Sequence, residues 1–147
     1  MAPAACPVAG SPDQAVASRA VSTVPAAGGV TTLVDMPLNS SPVTTTRDAL
    51  LRKLDAADGH GHVDCAFWGG LVPDGAKALE PLLDAGARGV KAFLCHSGID
   101  DFPAAGESDL RAALPILAER GLPLLVHAEL ATDTRPPAGD PRRYATY

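Results

Sequence analysis

Two ionisable side chains stand where a folded domain rarely puts them. Lys91 lies inside the run Gly89-Val90-Lys91-Ala92-Phe93-Leu94-Cys95, which has the pattern of a buried parallel strand. Lysine is almost never fully buried without a partner, so it either snorkels to the strand end to meet an acid or is functional. His127 ends a second apolar run, Leu122-Pro123-Leu124-Leu125-Val126, and leads into Ala128-Glu129. Low dielectric disfavours an ammonium, and a neutral amine is a nucleophile. Carbon dioxide converts such an amine to a carbamate, an anionic oxygen ligand able to hold two cations. An imidazole on the neighbouring strand would complete part of a metal site at one end of a barrel. The plain alternative for His127 is a hydrogen-bonded core histidine. Glu129 projects to the same face by strand alternation and could orient that imidazole.

Three further groups carry weaker signals. Asn39, in Asp35-Met36-Pro37-Leu38-Asn39-Ser40, lies on a strand-end loop. It could hydrogen-bond an amide-like substrate or serve ordinary turn chemistry. His60-Gly61-His62 has a spacing that suits a metal pair on a strand, but it precedes the strand at residues 63–68. That puts it at the N-terminal end, the stability face of a barrel. Cys95 could bind metal or be one more small buried thiol.

The elements that must position these residues follow a rhythm. β-type runs occupy residues 31–36, 63–68, 89–95 and 124–127. Between them lie helical patterns. One starts at a Thr45 or Thr46 cap and runs through Leu50, Leu51 and Leu54 to about Asp58. Another covers residues 76–85, with Leu79, Leu82 and Leu83 on one face and Pro81 as a blemish. A third opens at Glu107 or Ser108 and runs through Leu110, Leu114 and Leu117 to Arg120, before Gly121. A strand about every 30 residues with a helix between is the period of a βα unit and a parallel sheet. The expected fold class is therefore α/β, a partial (βα)8 TIM-type barrel of about four parallel strands alternating with helices. A small doubly wound sheet is the rival, but no Gly-x-Gly-x-x-Gly follows a strand. Residues 1–24 read as an Ala/Pro/Gly/Ser-rich arm and an Ala-rich helical stretch reaching toward residue 27. The barrel domain is expected over residues 25–147, with a turn-rich tail from Thr132.

Composition narrows the partners. A formal net charge of −5 over 147 residues gives nucleic acid and anionic membrane little to bind. No apolar stretch is long enough to span a bilayer, and the N-terminus lacks the pattern of a secretory signal. Three widely spaced cysteines, Cys6, Cys65 and Cys95, form no disulfide framework and suit a reducing cytoplasm.

The motifs Ala26-Ala27-Gly28-Gly29-Val30-Thr31-Thr32, Asp35-Met36-Pro37-Leu38-Asn39-Ser40, Gly89-Val90-Lys91-Ala92-Phe93 with Cys95-His96-Ser97-Gly98, and Leu125-Val126-His127-Ala128-Glu129 together resemble allantoinase. So does the tail from Arg135-Pro136-Pro137 to Tyr144. The likeness covers residues 26–147. It implies a βα barrel with a binuclear metal centre, usually zinc, in a homo-oligomeric cytoplasmic enzyme of purine catabolism. Lys91 matches the carboxylated bridging lysine and His127 a histidine ligand. Asn39, His96 and Ser97 match substrate-binding positions. The implied reaction is hydrolysis of the cyclic amide of allantoin to allantoate, the metal activating water and polarising the ring carbonyl. Hydantoinase- and dihydroorotase-type enzymes are the near alternatives, and a non-catalytic scaffold on the same barrel the distant one. The family's first-strand His-x-His is expected near residues 4–8, where Ala4-Ala5-Cys6-Pro7-Val8 has none. Its later histidine and its general-base aspartate are expected beyond Tyr147. No catalytic base is therefore assigned within the chain, and this segment is expected to be inactive alone.

Overall fold

The computed structural model describes residues 25–129, 140 and 142–143. The expected N-terminal arm and most of the tail lie outside the described residues. Of the expected helix reaching residue 27, only residues 25–27 are described, and they are helical.

The strands are β1 (Thr32–Asp35), β2 (Asp64–Phe67), β3 (Gly69–Gly70), β4 (Val90–Phe93) and β5 (Leu124–His127). The helices are α1 (Arg47–Ala57), α2 (Ala76–Asp84) and α3 (Glu107–Glu119). All pairings are parallel. β1 pairs with β2; β3 pairs with β4, and β4 with β5. The strand expected over residues 63–68 forms as β2, and a further two-residue strand, β3, follows Trp68. β2 pairs with β1, whereas β3 turns to β4. Backbone bonds carry the sheet across the break: Trp68 N–H donates to Asp35 O at 2.9 Å, and Gly69 N–H to Gly89 O at 3.0 Å. Glycine is needed at this seam. A Cβ on Gly69 would stand 2.6 Å from Leu82 Cδ2, and one on Gly70 would run into the Phe102 ring.

Spatial order follows chain order, with no reversal among the described strands. A doubly wound sheet requires one. The chain therefore forms part of a βα barrel, with α1 packed on α2 and α2 on α3 along one side of the sheet.

The core lies between strands and helices. Val90 and Ala92 turn to it with no exposure, meeting Leu79, Leu82, Ala113 and Leu117. Full burial of each large aliphatic side chain is worth about 1.5–3 kcal/mol. α2 buries Leu79, Leu82 and Leu83, as its sequence pattern predicts. The other two helices differ from expectation. α1, capped by Thr46 Oγ1 accepting from Ala49 N–H at 3.3 Å, buries Ala49, Leu50, Lys53 and Ala56, and leaves Leu51 and Leu54 partly exposed. α3 starts behind Gly106, whose N–H donates to Asp109 Oδ2 at 2.8 Å, and buries Ala113 and Leu117. Leu114 is 49% exposed. A small residue, Ala113, lets α3 sit close to the sheet, and Leu114 lies about a quarter-turn off that face.

Candidate active site

β4 and β5 fix the register that matters most: Lys91 is opposite Leu125, and Phe93 is opposite His127. Side chains alternate along a strand, and register partners share a face. Val90 and Ala92 face the helices, so Lys91, Phe93 and His127 share the opposite, inner face. The amine and the imidazole that the sequence singled out are brought to one surface, at and near the C-terminal ends of their strands.

Phe93 is the hub between them. The His127 ring stacks on it at 4.9 Å between centroids and 14° between planes. Lys91 Nζ lies 4.8 Å from the same ring's centroid, an amine–π contact. Phe102, fully buried, meets Phe93 edge-on at 5.8 Å. Lys91 is half-buried, and no carboxylate lies within ion-pair distance of it among the described residues. Phe93 was missed in sequence because an aromatic in an apolar run reads as core. Its place two residues after Lys91 was the available signal.

Beyond Phe93 the chain loops out and returns. Ala105 N–H donates to Phe93 O at 2.8 Å, closing the loop's base. Ser97 Oγ donates to Phe102 O at 2.6 Å and also lies 3.1 Å from Ile99 O. His96 Nδ1 accepts from Gly98 N–H at 3.1 Å, and its Nε2 lies 3.6 Å from Asp100 Oδ1. Gly98 takes a φ of +96°, which favours glycine. Ser97 is committed to shaping this loop, whereas His96 projects into solvent with its side chain 69% exposed.

At the loop's start the structure adds a cluster. Cys95 Sγ, a His127 nitrogen and a Glu129 carboxylate oxygen lie within 4.8 Å of one another. Glu129 Oε2 is 3.3 Å from His127 Nε2, and Cys95 Sγ is 3.9 Å from the same oxygen. Thiol, imidazole and carboxylate are all metal donors, so the donor set at this strand end suits a zinc-type cation.

Asn39 belongs to a different network. Its Nδ2 donates to Asp35 Oδ1 at 2.8 Å. Asp35 Oδ2 is 2.7 Å from Lys53 Nζ, with the two side chains only 12% and 8% exposed. Lys53 Nζ also donates to Met36 O at 2.7 Å and stands 5.3 Å from the Phe67 ring centroid. Burial pulls the Lys53 ammonium below its usual pKa, while the hydrogen bond and charge of Asp35 work the other way. This buried pair fixes the turn that carries Asn39. Ser40 Oγ, 3.2 Å from the buried Thr44 hydroxyl, and Gly70 N–H, donating to Thr44 O at 2.8 Å, tie the same loop to β3. Sequence reasoning missed both charged residues. A lysine three positions after Leu50 on the apolar face of α1 was the signal.

His60 and His62 precede β2, as expected, and are exposed. His62 borders an open cleft of about 540 Å³ with Thr31 and Asp64, at the opposite end of the strands from His127.

No family model matches the chain. Individual proteins do. It is 53% identical over 128 residues to allantoinase of Arabidopsis thaliana, covering 83% of this chain and 25% of that protein. It is 53% identical over 104 residues to allantoinase of Streptomyces avermitilis, covering 71% and 23%. With allantoinase of Saccharomyces cerevisiae it shares 45% over 123 residues, covering 82% and 27%. Among solved structures it is similar to the L-hydantoinase (dihydropyrimidinase) of Arthrobacter aurescens, with a TM-score of 0.67 and 33% identity over 80% of this chain and 24% of that one. The resemblance to allantoinase is borne out, over about a quarter of the length of the curated relatives it matches.

Proposed function

We propose that this chain is a segment of an allantoinase-type cyclic amidohydrolase, contributing the β4–β5 end of its active site, and that the barrel segment starts near residue 25. The observation that carries the reading is the shared inner face of Lys91 and His127, both packed against Phe93. Identity of 45–53% to allantoinases against 33% to the hydantoinase favours allantoin over a hydantoin as the cyclic amide.

In the whole enzyme, Lys91, as a carbamate, and His127 would hold a pair of divalent cations, with zinc as the proposed metal. When bound, those cations supply Lewis acidity, lowering the pKa of water and polarising a ring carbonyl. The chain's own residues prepare that end. The Lys91 amine, with no carboxylate in ion-pair distance among the described residues, would add to the carbon of carbon dioxide; an N–C bond forms, one C=O π pair moves onto oxygen, and a proton leaves nitrogen for water. Phe93 holds the amine and the imidazole against one ring and keeps water from that side of both. Asn39, braced by Asp35 and Lys53, and the His96–Ser97 loop border the place for the substrate's amide groups. The free thiols of Cys65 and Cys95 fit a reducing compartment, the cytoplasm.

Because this chain spans about a quarter of its relatives, the test uses a chimaera. Its residues 26–129 replace the matching segment of the Streptomyces avermitilis allantoinase, and allantoin hydrolysis is measured with added zinc. Activity is expected, and K91A and H127A are each expected to reduce it by more than roughly a hundredfold, beyond what disturbing an outer partner costs. Full activity in K91A would sink the reading. The chain by itself is expected to give no turnover.

A further inference from the structure

We infer that Asp35 and Lys53 are positioning residues. They hold the Asn39 side-chain amide with its NH2 group turned to the carboxylate and its carbonyl oxygen, Oδ1, turned outward, so that Asn39 accepts a hydrogen bond from a substrate N–H. The inference rests on the reading of Asn39 as a neighbour of the substrate. It adds the polarity of that contact and the groups that set it.

Donors and acceptors leave one arrangement. Asp35 Oδ2 is 2.7 Å from Lys53 Nζ, deep enough that both side chains are almost removed from water. Paired with an ammonium, the carboxylate offers acceptors only. The Asn39 atom 2.8 Å from its other oxygen, Oδ1, must then be the nitrogen. Turning the amide over would set two oxygens against each other, a loss of roughly tenfold to a hundredfold in population. Lys53 is held in place as well. Its Nζ donates to Met36 O at 2.7 Å, and the Asn39 backbone N–H returns to the same carbonyl at 3.3 Å. A merely structural need on this face of α1 would be met by an apolar side chain, since a buried ion pair often gains nothing over one. The ammonium's use here is to keep Asp35 an acceptor. The pair touches no substrate and acts through Asn39. That residue is exposed after the C-terminal end of β1, and its side chain makes no other hydrogen bond to a described residue. Oδ1 is the atom left to meet a ligand. Allantoin carries N–H groups on its ring and its ureido arm. A methyl in place of the matching hydrogen removes the bond and leaves the oxygen unmet, a mismatch that polar sites reject strongly.

Two measurements test this. Asn39 is the chain's single asparagine and Gln14 its single glutamine, so the Asn39 NH2 signals are readily assigned by 15N–1H NMR of the purified 147-residue chain. The proton bonded to Asp35 is expected to exchange with water about tenfold or more slowly than in free asparagine, and D35N is expected to abolish that protection. In the chimaera described above, kcat/KM is measured for allantoin and for its singly N-methylated derivatives. One methyl position is expected to cost about tenfold or more. That ratio should fall below about threefold in both N39A and D35N, with KM for allantoin changing more than kcat. N39A alters an exposed side chain and leaves the buried pair intact, so it decides the matter where D35N fails to fold by circular dichroism. An unprotected amide in the folded parent chain overturns the inference. So does a methyl penalty that survives N39A at every position, an equal penalty in folded D35N, or no penalty at all. A chimaera inactive on allantoin sinks the proposed function and the substrate contact with it, whereas an unprotected amide beside an active chimaera sinks the inference alone.

Discussion

Asp35 and Lys91 each place a charge-bearing group on a strand, and the fold treats them in opposite ways. Asp35 is closed in. It pairs with Lys53; Met36 O and Asn39 flank the pair, and both charged side chains are almost removed from water. Lys91 sits on the open inner face beside an aromatic ring, with no carboxylate to answer it among the described residues, and the side chain of its neighbour His127 is 47% exposed. The first region is self-sufficient and structural. The second holds chemically competent groups without using them to hold the fold. That contrast separates architecture from site more sharply than burial alone does.

The largest expected effect breaks the closed region. Asp35→Ala leaves the Lys53 ammonium buried without its counter-charge and should cost about 3–5 kcal/mol, read by urea unfolding. Lys91→Ala should cost under ~1 kcal/mol, the worth of one partly exposed amine–π contact. Equal losses would erase the contrast. A smaller effect sharpens it through pH. The Lys53 pKa is lowered by folding, so between that lowered value and the normal 10.5 the unfolded chain binds more protons. Stability from this group therefore rises with pH across that window, and the slope should flatten in Lys53→Met when unfolding is followed at several alkaline pH values. The smallest effect concerns Cys65. Burial, then the charges of Asp35 and Asp64, push its thiol up. Its alkylation near pH 8 should be slower than that of free cysteine, and Asp64→Asn should speed it. No acceleration would mean that Asp64 does not reach the thiol.

Much of this was legible in the residues. The strand–helix rhythm gave the partial barrel, and Leu79, Leu82 and Leu83 gave the buried face of α2. Lys91 and His127 stood out on neighbouring strands, and the β4–β5 register supplied the face that they share. What was hidden depends on partners distant in sequence. Lys53 takes the buried place where leucines at 51 and 54 looked better, because Asp35 and Met36 O wait across from it. β3 lay outside the strand expected at 63–68, because two glycines carry no strand signal and only their pairing with β4 makes them one. The Cys95–His127–Glu129 cluster joins two strand ends 32 positions apart, a closeness that only the register supplies.

That register carries a parity rule. β5 presents alternate residues inward, and His127 faces inward because it stands two places after Leu125. Adding or deleting a single amino acid between them would leave a strand that still pairs while turning the imidazole outward among the helices, whereas a change of two would restore its heading. Along this stretch, length can drift harmlessly only in even steps, a constraint invisible to any comparison that scores residue identity alone.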